Sequence, residues 1–160
     1  MTLRHPLVFI FLIVFLAHVV YGAVSLATDN DEKRVRRDIN AAILGLELND
    51  PARYGAILAA DYADDEGFTR ETLLKRLGKI FGTFRPAKVD VKRLKIRIDA
   101  PGQAQADIGF KIYFRKEGDQ VFYQDSGKVV LSLKKAKAAW QVYHILYTSS
   151  DDLWFIQSVA

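Results

Sequence analysis

Residues 69 to 100 read TRETLLKRLGKIFGTFRPAKVDVKRLKIRIDA, and the hydrophobic period changes partway along them. Leu73, Leu74, Leu77, Ile80, Phe81 and Phe84 recur at spacings of three and four, which lays them on one face of a helix over 69–84 with Thr69 as its cap. Arg85-Pro86 stops that helix, because proline lacks an N–H and disfavours helical geometry in the residue before it. From Val89 the period is 2. Val89 and Val91 alternate with polar residues, Lys92-Arg93 inserts one extra position, and Leu94, Ile96 and Ile98 resume. A long strand broken by a β-bulge gives this pattern.

Working outward, Ala100-Pro101-Gly102 is a turn. Ala104, Ala106, Ile108, Phe110, Ile112 and Phe114 then alternate without a break, and Lys116-Glu117-Gly118-Asp119 closes that strand. Two more strands follow, 128–134 and 139–147, joined through Lys135, Ala136 and Lys137. Upstream, Val35, Ile39, Ala42, Ile43 and Leu46 share one face of a helix over about 31–47. Asn49-Asp50-Pro51 starts a second helix, expected over 51–62, that buries Ala52, Ile57 and Leu58. Helices first and an antiparallel meander second define an α+β domain, with three N-terminal helices packed on a curved four-stranded antiparallel sheet.

The 160 residues include 50% hydrophobic letters, no cysteine and a net charge of +4. Disulfides, thiolate metal sites and cysteine nucleophiles are thereby excluded. Much of the apolar content sits in the leader, where Leu7 to Val20 reads LVFIFLIVFLAHVV and the uncharged run continues to Ala27. Ser25-Leu26-Ala27 places small residues where a signal peptidase reads, so residues 1–27 are a cleaved signal peptide or, uncleaved, a membrane anchor through 7–27. The remaining 28–160 form one domain by size. The expected location is the periplasm or another extracytoplasmic space, at the inner membrane if the leader stays.

The Asn-Asp-Pro helix start, the Asp-Tyr-Ala-Asp-Asp-Glu-Gly turn before Thr69, the Leu-rich helix and the AAWQVYHI strand resemble the nuclear-transport-factor-2-like superfamily, whose fold is also called the cystatin-like cone. The resemblance spans about residues 31 to 147. It implies a curved sheet wrapped on a long helix, with a hydrophobic pocket at the wide end of the cone. Members include isomerases, dehydratases and polyketide cyclases as well as transport receptors and secretion subunits, so the resemblance identifies packing more than chemistry. It implies that Tyr54, Tyr62, Trp140 and His144, from the second helix and the last strand, meet at the pocket as ligand-binding residues.

Catalytic motifs are sparse. Beyond the leader His144 is the one histidine, and it shares a strand face with Trp140, Val142 and Leu146. Asp61, Asp64, Asp65 and Glu66 lack the alternating spacing of a calcium loop and read as a solvated turn, and no isolated glycine forms a phosphate loop. No metal and no cofactor are expected. A cone enzyme needs an inward carboxylate or imidazole base opposite an acid or phenol; Asp61, Tyr62, Asp107, Tyr113, Tyr143 and His144 are the available groups. Alternation puts Asp107 and Tyr113 on the face opposite Phe110 and Phe114. That same polar face carries Arg93, Lys95, Arg97, Lys111 and Arg115, a basic stripe suited to an anionic partner.

The sequence therefore points to a non-catalytic binding or assembly module of the cell envelope. Its partners are a small apolar ligand or an envelope protein, a second copy of the chain included. Nucleic acid does not fit the exported location. The alternative is a small isomerase- or dehydratase-type enzyme with a pocket carboxylate or histidine base.

Overall fold

A computed structural model describes residues 30–116, Gly118 and 122–148. The expected leader, residues 1–27, lies outside them. No helix among the described residues is long and apolar enough to cross a membrane.

Helix α1 covers residues 30–47 and buries Val35 and Ile39, with Ile43 and Leu46 partly covered on the same face. Its end is a Schellman turn. Asn49 takes a left-handed conformation (φ 52°), its N–H reaches the Leu46 carbonyl, and the Asp50 N–H reaches Gly45 O at 2.8 Å. A Cβ on Gly45 would lie 2.6 Å from Tyr54 N, so the missing side chain lets the next helix cross at backbone distance. Helix α2 is Pro51–Gly55, with Asp50 as N-cap accepting from the Arg53 N–H at 3.1 Å and proline in the first turn.

The second helix is shorter than the expected 51–62. After Gly55, which packs against Leu74, the chain turns to run beside the edge of the last strand. Val142 donates to Ile57 O at 2.7 Å and accepts from Ala59 at 2.8 Å, and Ala63 donates to Tyr143 O at 3.1 Å. Otherwise exposed edge groups are satisfied this way, and the gain overrides local helix preference.

Helix α3, Arg70–Thr83, starts at the expected Thr69 with a reciprocal cap: Thr69 N donates to Thr72 Oγ1 at 2.8 Å and Thr72 N to Thr69 Oγ1 at 3.3 Å. It buries Leu73, Ile80 and Phe81 and passes directly into β1 at Phe84.

The sheet is antiparallel in the order β1 (Phe84–Ala100), β2 (Gln103–Lys116), β3 (Phe122–Ala136) and β4 (Ala139–Thr148). The register skips Lys92 between Val91↔Phe110 and Arg93↔Gly109, the expected bulge. Strand β3 begins six residues before the expected Lys128. Its polar stretch Gln124 to Gly127 is held extended by pairing with Tyr113 to Phe110, not by its own pattern. Phe110 packs over Gly127, where a Cβ would press on the ring at 3.2 Å, and it is half-buried.

A second bulge falls at Tyr143, since Ser132 pairs with His144 but Leu133 with Val142. This corrects the expected facing of β4. Trp140 and Val142 point inward before the bulge and Ile145 packs on the core after it, while His144 moves off that face.

Two apolar clusters fill the space between helices and sheet. One gathers Val35, Ile39, Leu58, Tyr62, Leu73, Ala104, Ala106, Leu133, Trp140 and Val142. The other gathers Tyr54, Ile80, Phe81, Ile112 and Phe114. Polar pins tie α1 to the sheet around them: Asp38 accepts from the Trp140 N–H at 2.9 Å, Asp31 from Lys135 at 2.7 Å, and Glu47 from the Val89 N–H at 2.8 Å.

Candidate functional site

The four residues expected to line one pocket occupy three environments. Trp140 is 1% exposed and Tyr62 2%, both in the first cluster, while Tyr54, 4% exposed, belongs to the second. His144 lies outside both. Its Nε2 is 3.2 Å from Asp65 Oδ1, and that pair ties the 63–69 loop to the outward side of β4.

Tyr62 ends a short polar relay. Its hydroxyl donates to Asp64 Oδ2 at 2.8 Å, and Asp64 Oδ1 accepts from the N–H groups of Glu66 at 3.1 Å and Phe68 at 2.8 Å. Burial, then the bond to Asp64, pushes the Tyr62 phenol well above the usual tyrosine range. Tyr147, beside the same carboxylates, is pushed up to about 12 by burial and by Asp64 and Glu66, against a smaller opposing pull from Arg76. Arg76 in turn stands 5.0 Å over the Phe68 ring. Three donors occupy the Asp64 carboxylate, and the two phenols stay protonated. The relay staples the loop and offers hydrogen-bond donors.

Tyr54 differs. Its ring meets Phe81 edge-on at 5.7 Å, among Ile80, Ile112 and Phe114, and its hydroxyl has no hydrogen-bond partner. Burial first, and Asp50 second, raise its pKa, so the group remains a donor. The Trp140 indole N–H is likewise buried and unpartnered, with Lys135 Nζ 5.8 Å over the ring. Asp61 faces solvent and binds Lys134, whose hydrogen bond holds that carboxyl below the usual range. No polar or charged residue is buried among the described residues, and none of their His, Asp and Glu side chains form a metal-sized group.

Asp107 and Tyr113 lie on the outer face as expected, together with Arg93, Lys95, Arg97 and Lys111. Acidic residues interleave that stripe. Arg97 binds Asp99 and Gln105, Lys92 pairs with Asp90, and Lys95 stands opposite Asp107. Arg115 lies farther along β2, opposite Arg85. Between β1 and β3 the outer face sinks into a depression of about 320 Å³, lined by Lys92, Arg93, Asp107, Gly109, Lys128 and Val130.

Three features escaped the sequence reading: the Asp64 staple, Tyr147 and Gly109. Asp64 to Gly67 carries the spacing of an Asx turn, and Gly109 is a lone glycine inside an otherwise unbroken alternation. Both signals are local. Tyr147 needed the Tyr143 bulge to be known.

No protein-family model matches the chain, and no curated protein does. Solved structures do, and they define the fold class. One is a protein described as a putative scytalone dehydratase from Novosphingobium aromaticivorans, 17% identical, covering 78% of this chain and 88% of that one with a TM-score of 0.69. Another is a nuclear transport factor 2 (NTF2-like) superfamily protein from Salmonella enterica, 13% identical over 79% and 95% of the two chains, TM-score 0.67. A third is an uncharacterised cystatin-like protein from Caulobacter vibrioides, 16% identical over 76% and 90%, TM-score 0.60. The chain has the nuclear-transport-factor-2-like, or cystatin-like, fold.

Proposed function

We propose that this protein is a non-catalytic ligand-binding module of the cell envelope, exported or anchored by residues 7–27, that holds a small apolar molecule inside the cone. The ligand carries one hydrogen-bond acceptor, and Tyr54 is the donor that meets it. The buried, unpartnered Tyr54 hydroxyl carries this reading: a phenol among Phe81, Ile112 and Phe114 is costly unless something accepts from it. An interior lined without a buried carboxylate, imidazole or ammonium among the described residues supports binding over proton transfer.

Native mass spectrometry of the full chain, purified from its own envelope, tests the reading. A small apolar molecule should accompany the wild type and be lost from Tyr54→Phe, which keeps the ring and removes only the donor. Equal retention by both proteins, or no bound molecule in either, counts against it. The likeness to a protein described as a putative scytalone dehydratase favours a second reading, a dehydratase- or isomerase-type enzyme using Tyr62, Asp64 and His144. Turnover of small hydroxy-carbonyl substrates that vanishes in Tyr62→Phe, with folding intact, would establish that one instead.

A further inference from the structure

The bulge in β1 puts two consecutive cations on one side of the sheet. Val91 and Leu94 pack inward, while Lys92 and Arg93 between them are both exposed, an arrangement closed to a regular strand, where neighbours alternate. Gly109 stands directly opposite Arg93 on one side and Lys128 on the other. A glycine in mid-strand weakens the sheet and calls for a reason.

Neither backbone nor packing supplies one. Gly109 has no positive φ, and a Cβ there would meet Arg93 Cβ at 3.6 Å and Arg93 N at 4.0 Å, ordinary contact. At Gly127, by contrast, a Cβ would crowd the Phe110 ring at 3.2 Å. What the missing side chain at 109 does leave is the floor of the 320 Å³ depression. Lys92, Arg93 and Lys128 line it together with Asp107, and Lys95 and Lys111 stand on the same face at the neighbouring register positions, opposite Asp107 and Asp90. Asp90 is engaged by Lys92, and Arg93 has no ion pair among the described residues.

We propose that this depression binds a phosphate ester that also carries a hydroxyl. Arg93 and the lysines take the phosphate oxygens through charge-assisted hydrogen bonds, Asp107 accepts from the ligand hydroxyl, and Gly109 gives the room. The excess of cations matches a dianion, and the one carboxylate in the wall distinguishes an ester with a hydroxyl from bare phosphate. A soluble glycerophosphate-like ester and an anionic glycerophospholipid headgroup share this chemistry.

Titration of the full chain in non-ionic detergent with inorganic phosphate and with glycerol 3-phosphate tests the site, beside sedimentation with phosphatidylglycerol and phosphatidylcholine vesicles. Glycerol 3-phosphate should bind the more tightly, Arg93→Gln should weaken both roughly tenfold, and Asp107→Asn should erase the difference between them. Gly109→Val should abolish binding with the melting temperature unchanged or higher, and Gly109→Ala should weaken it if the valine variant fails to fold. Binding seen only with phosphatidylglycerol vesicles, and lost in Gly109→Val or Gly109→Ala, assigns the lipid headgroup as the source. No binding in either arm, or binding that survives both Arg93→Gln and the Gly109 variants, overturns the proposal.

Discussion

The two halves of the core are built from similar side chains and differ in how their polar atoms are treated. Around Trp140 the polar tips are mostly anchored: the Tyr62 hydroxyl has Asp64, and the Trp140 backbone has Asp38. Small Ala104 and Ala106 share that cluster with the bulky rings, and the 57–63 segment seals the edge of β4 over it. Around Tyr54 the packing is equally apolar, yet the buried Tyr54 phenol has no acceptor. Each half keeps one buried donor without an acceptor, the Trp140 indole N–H in the first and the Tyr54 hydroxyl in the second, so the contrast lies in the two almost fully buried tyrosines, of which Tyr62 is hydrogen-bonded and Tyr54 is not.

Substitutions that exploit the contrast fall in a definite order. Trp140→Ala empties the largest fully buried side chain and should destabilise by about 3–5 kcal/mol in chemical denaturation. A loss below about 1 kcal/mol would mean that the Trp140 half is not the structural one. Tyr62→Phe keeps the ring but strands the Asp64 acceptor, for an expected loss of about 1–3 kcal/mol. Stability should also respond to alkali. Tyr62 and Tyr147 have folded-state pKa values raised above the ordinary 10.0, so their contribution is complete below pH 10 and is lost as pH rises. The Tyr147 share is exhausted once pH passes about 12, and in Tyr62→Phe the alkaline decline should be shallower than in the wild type.

Smaller effects sharpen the comparison. Gly109→Ala should raise stability by about 0.5–1 kcal/mol, since strand geometry accepts the methyl and the unfolded chain loses freedom. Tyr54→Phe should likewise move the midpoint toward greater stability, by about 1 kcal/mol, because it removes a buried hydroxyl that bonds to nothing. A clear destabilisation there would reveal an acceptor for the phenol within the fold and erase the distinction between the halves.

The outer face shows how far the one-dimensional pattern reaches. The break in alternation at Lys92-Arg93 was legible because polar letters flank it and the apolar ones shift phase by one. The break at Tyr143 was not. In AWQVYHILYT apolar letters occupy nearly every position, so two phasings fit, and the regular one puts His144 beside Trp140. Only the pairing of β4 with Leu133 and Ser132, and with the 57–63 segment on its other edge, selects between them.

By itself the sequence determined the order of elements, the buried faces of the first and third helices, the β2 alternation and the caps at Asp50 and Thr69, because those depend on groups within a few residues of one another, whereas Ala52, expected inside on the second helix, is exposed and Tyr54 and Gly55 are buried there instead. Tertiary structure decided where the second helix ends, how far β3 extends, which way His144 faces and which tyrosine keeps its hydroxyl free. The first three rest on a partner far along the chain: Val142 for Ile57 and Ala59, Tyr113 for Gln124, Asp65 for His144; the fourth rests on the packing that encloses Tyr54 away from any acceptor. Satisfying an edge or a buried polar atom with such a partner outweighs the few tenths of a kcal/mol by which neighbouring residues express a preference.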